Sequence, residues 1–210
     1  MICKGVSMKL NRYTGLLVIF LLFAGSVNAQ NLILGAQGGI SRAFGEGSEQ
    51  FNTGYDFGAT LYLGFGKTFY LGVRGTYTNW SPDESSFLND IFDTDEGTVE
   101  GSVWAANLMG VLRLNTNFPA WFNLFTETGA GVSFFDSEVE ISADPGDTSA
   151  TLSSGSGTTT HFVLMYSLGI SIGSPGTFTF DLFPTVNTLF LGDRNLWSYA
   201  TFNAGITIGF

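Results

Sequence analysis

Six ionisable side chains stand out because they fall in runs otherwise built from apolar residues and Gly, Ser, Thr and Asn. They are Asp56, Arg74, Arg113, Glu127, Asp181 and His161. An isolated charge in such surroundings is costly, so these groups are expected to pair. Arg74 and Glu127 sit near the middle of their runs and are predicted to anchor a salt-bridge network, with Asp56, Arg113 or Asp181 as further members. A network of this kind can gate a path or plug it, and plugging is the simpler expectation. His161 is the only histidine, which raises nucleophilic catalysis. That chemistry needs a nucleophile, a base and an orienting acid within hydrogen-bond reach. Ser167 should share the face of His161, yet it lies six residues on, roughly 20 Å along an extended strand. No catalytic, metal or cofactor site is expected.

Most of the negative charge lies between the apolar runs. Residues 81–101 carry Asp83, Glu84, Asp90, Asp93, Asp95, Glu96 and Glu100, and Asp136, Glu138, Glu140, Asp144 and Asp147 follow later. Asp93-Thr94-Asp95-Glu96-Gly97 has the start of a calcium loop but lacks the further ligands of a 12-residue EF-hand. Solvated acidic loops are the expectation. Residues 149–160, SATLSSGSGTTT, are of low complexity and are expected to be mobile.

The N-terminal segment sets the compartment. Lys4, Lys9 and Arg12 precede the apolar run 15–24, and Val27-Asn28-Ala29 supplies an A-x-A-like cleavage site. This order is that of a secretory signal over residues 1–29, and the run is short for a membrane helix. Cys3, the one cysteine, lies inside it, so the mature chain is expected to have no disulfide or thiolate metal site. Removing the signal leaves five basic residues against 18 acids, a net charge of about −13. Nucleic-acid binding needs the opposite footprint and is excluded.

The elements that must position the charged groups are strands. After Ala29 the apolar pattern repeats every second residue in runs of about ten, separated by turn-rich stretches. Eight strands are predicted, over residues 32–43, 54–65, 68–79, 102–114, 121–135, 160–172, 177–189 and 198–210. Their connections alternate between short and long. In the last run Phe202, Ala204, Ile206, Ile208 and Phe210 share one face, and Thr201, Asn203, Gly205, Thr207 and Gly209 the other. The third run sets Phe69, Leu71 and Val73 against Tyr70, Gly72 and Arg74.

Alternation suits a soluble barrel with its apolar face inside or a membrane barrel with that face outside. Residue size separates them. The polar face is rich in small residues that fit the narrow lumen of eight strands, whereas ladders of Phe, Leu and Ile are too bulky for it. The bulky face is therefore expected to meet lipid and the polar side chains to fill the lumen. Aromatic residues collect at two levels, as interfacial girdles do. Tyr55, Tyr77, Trp80, Trp104, Phe134, Trp197 and Tyr199 are assigned to the long-loop girdle. Phe65, Phe69, Trp121, Phe122, Phe178 and Phe210 are assigned to the short-turn girdle.

The segment 201–210, TFNAGITIGF, resembles the C-terminal assembly signal of bacterial outer-membrane proteins, carried by Phe202, Ile206, Ile208 and Phe210. With the signal and the eight runs, residues 30–210 resemble the small eight-stranded outer-membrane β-barrels of OmpA/OmpX type. The resemblance implies an all-β, antiparallel up-and-down transmembrane barrel in the outer membrane of a Gram-negative bacterium, with no peptidoglycan-binding domain following it. It implies outer-membrane lipid, lipopolysaccharide and the barrel assembly machinery as partners, with a surface partner at the acidic loops. Divalent ions bridging those loops to lipopolysaccharide are a weaker expectation. A structural or surface-interaction role is favoured, with a narrow porin-like channel as the alternative. A lipid A-modifying enzyme is less favoured, because the His-x-Ser arrangement of the lipid A deacylase family is missing.

Overall fold

The computed structural model describes residues 32–45, 48–86, 97–116, 121–143, 150–154, 157–174, 177–191 and 196–210. The expected signal, residues 1–29, lies outside them. Nine strands are described: β1 (Leu32–Phe44), β2 (Gly54–Phe65), β3 (Phe69–Trp80), β4 (Gly97–Asn115), β5 (Phe122–Ala143), β6 (Ala150–Ser154), β7 (Thr159–Ser174), β8 (Phe178–Phe190) and β9 (Leu196–Gly209). All pairings are antiparallel between chain neighbours, except that β5 also pairs with β7 and β9 returns to β1. Eight strands thus close into an up-and-down barrel, with β6 outside the ring.

Closure satisfies the backbone, which a wall facing hydrocarbon requires. The register of β1 and β9 runs from Ile33↔Gly209 to Phe44↔Ser198. Beyond it, the Phe210 amide donates to the Leu32 carbonyl at 2.8 Å, and the Gly209 amide to that of Thr177 at 2.9 Å. At the short-turn end the β2–β3 hairpin turns at Gly66, whose φ of 76° suits a residue without Cβ.

Two expectations about the connections change. Residues 136–143, assigned to a loop, continue β5, and residues 97–101 start β4 below their expected boundary. The two strands extend beyond the barrel rim as a ribbon in which Val99 and Val139 are buried. Alternation persists there, but Glu100 and Glu138 replace the outward apolar residues, so the strand pattern is hidden under acidic composition. Within the stretch expected to be mobile, Ala150–Ser154 is ordered as β6, in register with Val139–Ala143. The polar composition that suggested a loop is tolerated because this ribbon lies beyond the last residues of β3 that pair with β4, outside the closed wall.

The outer surface is the bulky one. Leu61, Leu71, Leu108, Leu164, Leu168 and Ile206 are all exposed on it. The lumen, however, is not filled by polar side chains alone. Tyr62, Tyr70, Met109, Phe125, Met165, Phe183 and Leu189 are buried inside with Asn, Ser and Thr. They fit because glycines stand beside them. A Cβ on Gly72 would come within 2.7 Å of the Tyr62 ring, one on Gly169 within 2.6 Å of Phe183 Cβ, and one on Gly129 within 3.2 Å of Met165 Cε. The small residues of the lumen face mark where a large neighbour lies across, so the narrow interior is filled by alternating sizes.

Candidate functional site: the lumenal charge layer

Strand register sets the layer. Pairing of β4 with β5 places Arg113 opposite Glu127, and pairing of β3 with β4 places Arg74 opposite Met109. All three charged side chains point inward because each lies in phase with the lumen face of its strand. Arg74 Nη2 reaches Glu127 Oε2 at 2.6 Å, and Arg113 Nη1 reaches Asp181 Oδ2 at 2.6 Å and Glu127 Oε1 at 3.6 Å. Two arginines and two carboxylates make a neutral, buried set.

Neighbouring groups complete it. Tyr62 donates its hydroxyl to Glu127 Oε1 and accepts from Arg74 Nη2 at 2.8 Å. Arg74 Nε donates to Thr60 Oγ1 at 2.9 Å, and Arg113 Nε to Asn115 Oδ1 at 2.8 Å. Asp181 also accepts from Ser171 at 2.6 Å and Thr179 at 3.1 Å. The Arg113 guanidinium lies 3.7 Å from the Phe125 ring centroid, and that of Arg74 lies 5.5 Å from Phe183. A buried charge is tolerated only when paired and hydrogen-bonded, and both conditions hold here. On the short-turn side of the layer a small vestibule of about 20 Å³ is lined by Ile33, Tyr62, Tyr70 and Arg113.

Of the five residues expected to share a network, Arg74, Arg113, Glu127 and Asp181 meet, and Asp56 stands apart. Its carboxylate accepts from Thr78 Oγ1 at 2.7 Å, in a row nearer the long loops. Tyr62 was not foreseen, although it lies six residues after Asp56 and therefore in phase with it.

A second barrier closes the long-loop end. Trp80 and Tyr199 are 0 % exposed and Trp197 packs against both, which corrects the assignment of all three to the outer girdle. Trp80 meets Trp197 at 5.0 Å and Tyr199 at 4.9 Å between ring centroids, both edge-on, and Phe135 meets Trp197 at 5.2 Å. Strand parity is the reason: Trp80 follows Thr78 and Arg74 on the inward face, as Tyr199 precedes Thr201 and Asn203. Position near a strand end suggested a girdle, but the face decides the direction.

No protein-family model matches the sequence, and no curated relative matches it. Solved structures do match. Neisserial surface protein A aligns over 85 % of this chain and 97 % of its own, at 10 % identity and a TM-score of 0.52. The chain has the fold of the small outer-membrane β-barrels. Ail, the attachment invasion locus protein of Yersinia pestis, aligns over 86 % of this chain and 97 % of its own, with 15 % identity and a TM-score of 0.46. The outer-membrane enzyme PagL aligns over 84 % and 98 %, with 11 % identity and a TM-score of 0.42.

Phe202, Ile206, Ile208 and Phe210, which the sequence assigned to an assembly signal, are all exposed on the outer surface of the barrel. His161 is half-buried near the long-loop end, with Nε2 2.7 Å from Thr159 Oγ1 and its ring against Phe135. Ser167 is buried and shares a hydrogen bond of 2.8 Å with Thr185. Their cross-strand partners are Ser133 and Glu127, six residues apart, so the structure does not bring His161 and Ser167 together. Asp90, Asp93, Asp95, Glu96, Asp144 and Asp147 lie outside the described residues, and with them nearly all of the calcium-like segment. Among the described residues, no group of three or more His, Cys, Asp or Glu could hold a metal ion.

Proposed function

We propose that the protein is an integral outer-membrane barrel with a structural or surface-interaction role, closed to solutes and without catalytic activity. The observation that carries this reading is the double closure of the lumen. The Arg74–Glu127–Arg113–Asp181 layer fills the inner half, and Trp80, Trp197 and Tyr199 pack across the outer end. Eight strands leave room for side chains and little more. The N-terminal pattern supports export with removal of residues 1–29. The outward Phe202, Ile206, Ile208 and Phe210 support recognition by the barrel assembly machinery. The apolar wall is suited to outer-membrane lipid, and the β4–β5 ribbon raises Glu100, Asp136 and Glu138 toward lipopolysaccharide or a surface partner.

Planar-bilayer recording tests the closed reading, with no steady conductance expected. A large, stable conductance would replace it with the narrow-channel alternative, in which the charge layer must open above the vestibule. Mass spectra of lipid A from cells with and without the gene test the absence of catalysis. Identical spectra are expected, and a deacylated or acylated species present only with the gene would overturn it.

A further inference from the structure

Among the described residues, the strands of the wall carry one outward cation, Arg42. It is exposed between the buried Ser41 and Ala43, in phase with Leu34, Ile40 and Phe44 on the outer face of β1. Apolar side chains flank it along the wall, since Ile40 and Phe44 on β1 and Phe202 and Leu196 on β9 are all exposed. Its partner in the β1–β9 register is Ala200, which has no polar side-chain atom to offer. Among the described residues Arg42 makes no salt bridge, because the three that form belong to Arg74 and Arg113. A guanidinium on a lipid-facing wall is costly unless water or an anion meets it.

Height along the wall decides what can meet it. Tyr55 on β2 pairs with Ile40, one outward position before Arg42. Its ring begins an aromatic run around the wall. Tyr55 stacks on Phe57 at 6.2 Å, Phe57 meets Tyr77 at 5.2 Å, and Tyr77 stacks on Trp104 at 6.0 Å between ring centroids. Aromatic belts of this kind sit at head-group level. Arg42 is one outward position further toward the long loops, and its long stem suits a guanidinium held at the height of lipid phosphates. One position beyond it the wall is polar again, where Ser198, opposite Phe44, shares a hydrogen bond of 3.1 Å with Thr188.

We propose that Arg42 binds a phosphate of lipid A in the leaflet at the long-loop end. The inference rests on the reading of the chain as an outer-membrane barrel, which puts lipopolysaccharide in that leaflet, and it names the residue and the chemical group of that contact. A guanidinium presents paired N–H donors that match phosphate oxygens, and the ion pair removes an unmatched charge from the edge of the hydrocarbon. The mature chain, with a net charge of about −13, does not gather anionic lipid by its overall field, so a local cation must do it. Lys67 stands at the opposite end of the barrel, in the turn between β2 and β3, and serves as the internal control.

The test uses the whole mature barrel refolded into detergent micelles, titrated with bisphosphorylated lipid A or with zwitterionic phosphatidylethanolamine, and read by native mass spectrometry of the lipid it retains. The wild-type barrel is expected to retain lipid A in preference to phosphatidylethanolamine. Arg42→Gln should weaken lipid A retention about fivefold, the loss expected for one basic residue at an anionic surface. Arg42→Lys should restore most of it, and Lys67→Gln should leave it unchanged. Unchanged retention in Arg42→Gln would overturn the proposal and leave water or a loop carboxylate as the partner of Arg42. An equal loss in Lys67→Gln would overturn it too, since the attraction would then follow overall charge rather than a site. Heat-dependent gel mobility of each variant reports the closed barrel separately. A wild-type chain without that shift would count against the barrel reading itself, whereas a shifted barrel indifferent to Arg42 would count against the lipid site alone.

Discussion

The two halves of the lumen solve the same problem in opposite ways. In the inner half four charges are brought into one neutral layer, and each carboxylate and guanidinium has several partners. In the outer half a single carboxylate, three asparagines and two serines line the wall, and Asn107 Oδ1, Asn187 Oδ1, Asn203 Oδ1, Ser41 Oγ and Ser133 Oγ are buried without a hydrogen-bond partner. The inner half is therefore a plug made of mutual dependence, in which removing one member strands the others. The outer half is a looser polar lining, sealed from outside by aromatic rings. The same barrel wall supports both because register, which is fixed by closure, decides which side chains meet.

The strongest way to break this contrast is Glu127→Ala. It leaves Arg74 without its carboxylate and is expected to destabilise the barrel by about 3–5 kcal/mol, read from urea unfolding in micelles. A cost below about 1 kcal/mol would mean that the layer is not interdependent. Leu164→Arg carries the comparison to the other face of the wall. A cation on the lipid side should cost about 2–4 kcal/mol in vesicles if Leu164 sits near the bilayer midplane. No cost at all would contradict an outward apolar face.

Asn107→Ala sharpens the contrast from the outer half. Asn107 Nδ2 donates to Tyr199 at 2.6 Å and Thr76 at 2.9 Å, but its carbonyl is already unsatisfied. Losing it should cost about 1 kcal/mol, well below Glu127→Ala. Equal costs would erase the distinction between the halves.

The smallest effect lies outside the lumen, at Asp83. The Ser85 hydroxyl, 2.7 Å away, holds its carboxyl below the ordinary value of 3.8, with help from the Ser86 amide. A depressed carboxyl favours the fold above its unfolded value and loses that contribution as pH falls through the folded one. The window is therefore the acid range below 3.8. Ser85→Ala should move the Asp83 titration upward in carbon-detected NMR, with little change in unfolding. A titration that did not move would remove the hydroxyl as the cause.

Legibility of the molecule followed period and parity. The ring of eight strands could be read because Phe202, Ile206 and Ile208 alternate with Asn203, Thr207 and their neighbours over a full strand. Arg74 and Glu127 could be paired in advance because both are charged, central and inward in phase. The β4–β5 ribbon and β6 were missed because acids and serines occupy strand positions beyond the closed wall, where no continuous apolar face is needed. Trp80 and Tyr199 were placed on the wrong side because their height along the strand was weighed above their parity. Phe125, Met165 and Phe183 escaped notice because the glycines opposite them are read as smallness, when their effect is to leave room.

Sequence alone determined the strand period, the bulky outward face and the ring of eight, since those depend on spacing within each strand and on the size of a side chain. Only the tertiary structure decided which inward residues meet. Cross-strand register is a property of pairs, and closing the ring fixes all eight registers together. That is why Asp56, one charged residue among five of the same apparent kind, ends across the β1 strand from Asn203 rather than in salt-bridge contact with an arginine.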